Sequence, residues 1–332
     1  MRCGRTTSIP VAGLELQDRV PPGEGQGKPG SALHRMRRVT PEDWDDLAAG
    51  MAEPQFQEWI ALYKRRENLE LISAWAPPEV RSLLKTDLFE EGFGQDLVLD
   101  ALATMYPLVV GMDISPIVVA AAQRRVPGAR CVVSDACALP FTALSFDLIV
   151  SISTLDHLSP ELLPGALGEL CRVLRPAGCL ILTLDSRHNP LHVLSNHIRR
   201  WMGRIHAERC YTVDEVLDAL AHQPVAVTEA TAIYHVPFPV NFLAKQARRL
   251  AGARADVWIR AVIRLCEALA RLPTRFFTGR YIALRIVKQA DAADTAETTC
   301  RLPSCQSASR GSDPSVPRAA HRALSLPGLS SA

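Results

Sequence analysis

From residue 83 onward the apolar positions fall into short, nearly continuous runs, and between these runs they recur every three or four residues. The runs predict strands near 83–89, 108–112, 130–134, 147–151 and 179–184; the helical spacing predicts helices near 95–104, 116–125 and 161–174. Strands that are apolar on both faces and alternate with helices indicate a doubly wound parallel sheet, since helices must then cover both faces. Upstream, residues 41–80 carry Trp44, Phe56, Trp59, Leu62 and Tyr63 at helical spacing, placed to pack onto a core or cover a site, and Pro77-Pro78 closes the section. Downstream, Thr212 is expected to cap a helix over 213–221, with Glu215 completing a reciprocal capping box. Further strands are expected near 225–235 and 280–287.

Both ends of the 332-residue chain lack this patterning. Residues 1–38 include Pro21-Pro22-Gly23-Glu24-Gly25-Gln26-Gly27, and residues 290–332 are rich in Ser, Ala, Pro and Thr. Both are expected to be disordered tails around one domain at 39–289, divided into a helical cover (41–80), a core (81–187) and a second half (188–289). No run approaches the roughly 18 apolar residues that span a bilayer. No apolar segment follows the N-terminal arginines, so a secretory signal is not expected and the reading is cytoplasmic, with reduced thiols. The nine cysteines include no Cys-x-x-Cys pair, and Cys131, Cys179 and Cys266 sit in apolar patterns as small hydrophobes, so no metal is expected. A formal net charge of +2 says little about partners.

The chemistry concentrates at the strand ends. Glu90 stands in Glu90-Glu91-Gly92-Phe93-Gly94, and Asp113 and Asp135 close the next two strands. Ligands of open α/β sheets bind beyond the carboxyl ends of the strands, where glycine lets the backbone come close. A carboxylate ending the second strand can accept hydrogen bonds from both hydroxyls of a ribose. Leu97-Val98-Leu99-Asp100 is a competing first strand, but it leaves only Ala101 to Pro107 for a crossover that needs about a dozen residues. The cofactor loop is therefore expected at Glu90–Gly94. A nicotinamide dinucleotide is the obvious competitor, although its fingerprint wants a third glycine where Leu97 stands.

With these residues in view, the stretch from about 83 to 187 resembles the class I S-adenosylmethionine-dependent methyltransferases of small-molecule type. Glu90, Gly92 and Gly94 match that family's acid-x-Gly-x-Gly turn, with Asp96 in place of the third glycine. Gly111-Met112-Asp113-Ile114-Ser115-Pro116 resembles its ribose-binding strand end, and Ser134-Asp135-Ala136 its adenine-side motif. Phe146 to Ser151, followed by Asp156-His157-Leu158, is similar to the fourth strand. Glu169 to Leu180, with its Leu174-Arg175-Pro176-Ala177-Gly178 turn, is similar to the helix-turn-strand before the fifth.

The resemblance implies a Rossmann-like sheet of seven strands with an antiparallel last strand, and S-adenosylmethionine as cofactor. It places Glu90, Gly92 and Gly94 by the methionine part, Asp113 on the ribose, Ile114 and Ala136 by the adenine, Asp135 on its amino group, and Ser151 in the pocket wall. Acceptor-facing candidates follow the fourth and fifth strands: Asp156, His157, Asp185, His188 and Asn189, with His157 and Asp185 as the candidate general bases. The implied activity is methyl transfer to a small-molecule acceptor. A methyltransferase-like binding or scaffolding protein and a nicotinamide-dependent oxidoreductase remain as alternatives.

In that fold a hairpin joins the last two strands, whereas here about 45 residues separate them, so a helical insertion is expected before the last strand. Residues 241–280 hold nine Lys or Arg against Asp256 and Glu267, interleaved with apolar residues. Three readings stay open: a helix packed on the domain with a solvated basic face, a lid over an apolar or anionic acceptor, and a helix lying on a membrane surface. No known nucleic-acid-binding motif appears in the segment, so nucleic acid is not expected as a partner.

Overall fold

The computed structural model describes residues 40–49, 58–95, 97–201, 209–236 and 238–289. Both tails and Asp96 lie outside these. Seven strands, β1 (Ser82–Thr86), β2 (Leu108–Asp113), β3 (Arg130–Val133), β4 (Phe146–Ile152), β5 (Leu174–Asp185), β6 (Val225–Ile233) and β7 (Tyr281–Lys288), form one sheet in the order 3-2-1-4-5-7-6. Strands β1 to β5 pair in parallel, and β7 runs antiparallel to both β5 and β6. This is the doubly wound, Rossmann-like sheet expected, with its antiparallel last strand. The order reverses between β1 and β4, which opens a crevice at the carboxyl ends of those strands.

The described helices are α1 (Pro41–Ala49), α2 (Glu58–Trp75), α3 (Phe89–Phe93), α4 (Leu99–Met105), α5 (Pro116–Arg125), α6 (Leu163–Val173), α7 (Pro190–Trp201), α8 (Val213–Leu220), α9 (Phe238–Ala251), α10 (Ala255–Leu269) and α11 (Arg275–Thr278). Their starts follow local chemistry. Ser115 caps α5 by accepting from the Val118 N–H, with Pro116 at the first helical position. Thr212 and Glu215 form the expected reciprocal box at α8.

Alternate strand residues feed two cores. Leu84, Val110, Ile149, Leu180, Leu182 and Leu284 pack with Leu167 and Leu170 of α6 and Val216 of α8. On the other face Leu83, Val109, Leu148, Ile181 and Ala283 pack with Ile72 and Trp75 of α2, Leu102 of α4 and Val118 of α5. Burial on both sides is why these strands read as unbroken apolar runs.

The helix expected near 95–104 begins at Leu99 and the strand expected near 179–184 begins at Leu174, and three other elements differ more from the sequence reading. The first strand ends at Thr86, not near 89, because Asp87 turns the chain with a left-handed φ of 64° and the backbone then enters α3. The insertion is α9, α10 and α11 rather than one helix. Helix α7 had no counterpart among the expected elements.

Candidate functional site

A cavity open to solvent at its mouth lies over the ends of β1 to β4. Its walls are the turn after β1 (Asp87, Phe89), the end of β2 (Met112, Asp113, Ile114), the turn after β3 (Ser134, Asp135, Ala136) and the segment after β4 (Thr154 to Ser159, except Asp156). Trp44 of α1 roofs it, with ring centroids 5.6 Å from Phe89 and 5.0 Å from His157. Ser115 holds that cover in place by donating its hydroxyl hydrogen to Asp45.

Asp113 is buried, and its two oxygens accept the N–H groups of Leu88 at 2.8 Å and Ser115 at 2.9 Å. Each oxygen keeps a second lone pair for a ligand. Burial raises the Asp113 carboxyl from its ordinary value, against the lowering effect of those two N–H groups. Asp87 borders the same cavity and accepts the Phe89 N–H at 2.8 Å. Burial, and after it the charge of Asp113, push Asp87 up to about 6, with Lys85 opposing. Across the cavity Asp135 accepts the Cys137 N–H, which fixes the turn after β3.

Thus Asp113, Ile114, Asp135, Ala136 and His157 of the sequence candidates meet at one cavity. Glu90, Gly92, Gly94 and Ser151 are not among its walls. Gly92 lies in α3, where a Cβ would stand 3.2 Å from both the Ala121 Cβ and the Val118 carbonyl of α5. The glycine therefore permits close helix–helix approach, not approach to a ligand. Gly94 follows α3 and sits against Glu90, where an added Cβ would meet the Glu90 carboxylate. Arg125 donates to the carbonyls of Glu91 and Gly94, which pins the end of α3. Glu90 faces Lys64 at 3.7 Å. Ser151 is buried beneath the crevice, accepting from the Thr86 hydroxyl at 3.0 Å.

What anchors α3 is a buried ion pair. Lys85 Nζ lies 3.1 Å from Glu91 Oε2, and Lys85 also donates to the Thr86 and Asp87 carbonyls. Sequence reasoning missed Asp87 and Phe89 as cavity residues. An acid immediately after the run Leu83-Leu84-Lys85-Thr86 was the available signal.

Asp185 belongs to a separate cluster. Fully buried, it lies 2.9 Å from His192 Nε2 and 3.5 Å from the Arg280 guanidinium. Burial pushes its carboxyl up, but Arg280 and His192 prevail and hold it at about 2. A carboxylate so held is a weak base and a good tie between β5, α7 and the start of β7. Asp185, His192 and Cys210 bring three donor atoms within 4.8 Å, yet the nearby guanidinium already supplies the cation there. Asn189 donates to the carbonyls of Thr278 and Gly279 and accepts the His192 N–H, so it shapes the loop. His188 stacks edge-on toward Phe276 and Phe277. Asp156 is buried and accepts from the Ser153 hydroxyl at 2.8 Å.

A seven-stranded sheet in this order is a Rossmann-like fold, and the acids at the ends of adjacent strands around one crevice suit a nucleoside-bearing ligand. Residues 89–182, less than a third of the chain, match the family described as the methyltransferase domain, whose members use S-adenosylmethionine. No curated protein matches the chain. Among solved structures, the chain is similar to a TehB-like S-adenosylmethionine-dependent methyltransferase from Corynebacterium glutamicum (17% identity, 75% of this chain and 95% of that one, TM-score 0.41). It is similar also to an S-adenosylmethionine-dependent methyltransferase from Methanosarcina mazei (15% identity, 67% and 98%, TM-score 0.44). A third is phosphoethanolamine N-methyltransferase 2 of Haemonchus contortus, solved with phosphomonomethylethanolamine and S-adenosylhomocysteine (15% identity, 68% and 53%, TM-score 0.47). Likeness at this level carries no inference about the acceptor.

Proposed function

We propose that the chain transfers a methyl group from S-adenosylmethionine to a small-molecule acceptor, with the cofactor held in the cavity over β1 to β4. The carrying observation is the charge of that cavity: Asp87, Asp113 and Asp135 line it, and among the described residues neither Lys nor Arg does. Three carboxylates suit a cationic sulfonium and ammonium ligand. They oppose the pyrophosphate of a nicotinamide dinucleotide, which supports the methyltransferase reading over the oxidoreductase one.

Within this reading Asp113 accepts from the ribose hydroxyls, Ile114 and Ala136 supply apolar contact for the adenine, and Asp135 accepts from its amino group. Asp87 takes the place by the methionine part that the sequence had given to Glu90, Gly92 and Gly94. When bound, the cofactor supplies an already activated methyl group, so the protein's task is alignment and exclusion of water. Trp44 and Phe89 serve the exclusion. His157, at the cavity wall beneath Trp44, is the group placed to take a proton from an acceptor; Asp185 positions α7 and β7.

Calorimetric titration of the protein with S-adenosylhomocysteine and with NAD tests the assignment. Binding of the former alone, weakened about tenfold or more in Asp113→Ala, is the expected result, from losing hydrogen bonds to a charged group. Binding of NAD, or an unaffected Asp113→Ala variant, overturns it.

A further inference from the structure

Helix α7 is inverted. Its buried side chains are His192 and Asn196, while Leu191, Leu194, Ile198 and Trp201 face outward. Those four recur at three- and four-residue intervals, so they form one stripe along one face. Trp201 is 85% exposed. The inversion has a local cause, since His192 reaches inward to Asp185 and Asn196 reaches His192. Nothing in that cluster explains why the outer face is apolar.

The insertion repeats the pattern. Helix α9 packs against both α7 and α10 and leaves Leu243 and Leu250 exposed, the latter at 88%. Helix α10 has three faces. Ala255, Ile259 and Cys266 are buried; Val257, Trp258 and Leu265 are exposed, Trp258 at 75%; and Arg260 and Arg264 stand together along the next edge. At about 100° per residue, Val257, Ala261, Leu265 and Trp258 share one sector, and Arg260 and Arg264 fall in the adjoining one, with exposed Arg271 just past the helix end. Buried, apolar and arginine faces side by side exceed what packing onto a domain requires.

We propose that α7, α9 and α10 form a docking face for an anionic membrane surface, on which the protein lies without crossing. Two outward tryptophans and several leucines give the apolar face that enters the headgroup boundary, and an arginine edge meets anionic lipid. The segment's two acids are both engaged, Asp256 by Arg248 at 2.7 Å and Glu267 by Arg66, so the arginine edge keeps its positive field. A second copy of this chain would have to find acids elsewhere to answer those arginines, whereas anionic headgroups supply them. Among the described residues no helix is long and apolar enough to cross a membrane, which agrees with lying on the surface. The docking face is independent of the cofactor assignment.

Co-sedimentation of the full chain with vesicles of phosphatidylcholine, alone or mixed with phosphatidylglycerol, tests this, with tryptophan emission as the second readout. Partition to the mixed vesicles, a blue shift of emission, and weakening by salt are expected. Arg260→Gln with Arg264→Gln and Arg271→Gln should lower the partition about tenfold or more, and Trp258→Ser with Leu265→Ser should abolish it at low and high salt. Both variants are checked for unchanged circular dichroism and S-adenosylhomocysteine binding, which reports on the cavity and not on this face. Absence of partition by a folded wild type overturns the proposal. So does a salt-insensitive dimer that shields the tryptophans without vesicle binding, which would make the face a subunit interface.

Discussion

Replacing Lys85 by Met tests whether the buried ion pair organises the turn that carries Asp87. Lys85 and Glu91 are 6% and 1% exposed, and their charges meet at 3.1 Å. The substitution keeps the length and apolar bulk of the side chain but strands the Glu91 carboxylate in the interior. Breaking such a pair from one side costs about 3–5 kcal/mol. For a domain of this size that lowers the melting temperature by roughly 6–20 °C, at about 2–4 °C per kcal/mol. Adding Glu91→Leu should recover most of the loss, because an apolar replacement of both partners is close to neutral. Recovery stops about 1 kcal/mol short, since the Leu99 N–H, 3.3 Å from Glu91 Oε1, loses its acceptor. Thermal and urea denaturation of the four proteins of this cycle give the coupling energy directly. A single substitution costing under about 1 kcal/mol, or a double variant as poor as the sum of the two singles, would refute the reasoning.

Three further results are expected. Ala177, in the turn inside β5, holds a left-handed φ of 59°, so Ala177→Gly should raise stability by about 1 kcal/mol; an unchanged or lower melting temperature contradicts this. Asp87 titrates near 6 instead of at its ordinary carboxylate value, so binding of the cationic S-adenosylmethionine should strengthen as pH rises through about 6, and Asp87→Asn should flatten that rise. The same shift contributes stability that is full below the unfolded carboxylate value and lost as pH rises through about 6, so Asp87→Asn should gain most, relative to wild type, above that pH.

The strands, α5 and the α8 cap were legible because local chemistry and tertiary demand coincide there: unbroken apolar runs for a two-sided sheet, and Ser115-Pro116 and Thr212 with Glu215 at helix starts. Asp113, Ile114, Asp135 and Ala136 were legible as neighbours in one cavity for the same reason, since each ends or follows a strand whose end could be found. The first turn was not. Its glycines signal close approach, but a sequence does not say whether the approaching partner is a ligand or a helix, and at Gly92 it is α5. Leu88 and Phe89 extend the apolar run of β1 into a turn that only the φ of Asp87 and the pull of Lys85 on Glu91 define. Helix α7 escaped notice because its buried face is His192 and Asn196, which reverses the polarity by which a packed helix is recognised.

The position of β7 has a consequence for how the chain is made. Among the described strands it is the last in sequence, yet it sits between β5 and β6. While a ribosome is still translating the insertion, β5 presents an unpaired edge and β6 has no strand to join, so the emerging chain carries open ladder groups and uncovered apolar surface. Closure waits until Lys288 has left the exit tunnel. The yield of folded protein should thus depend on elongation speed through residues 234–280 and on holdase chaperones present at that moment, more than on how fast the first five strands assemble.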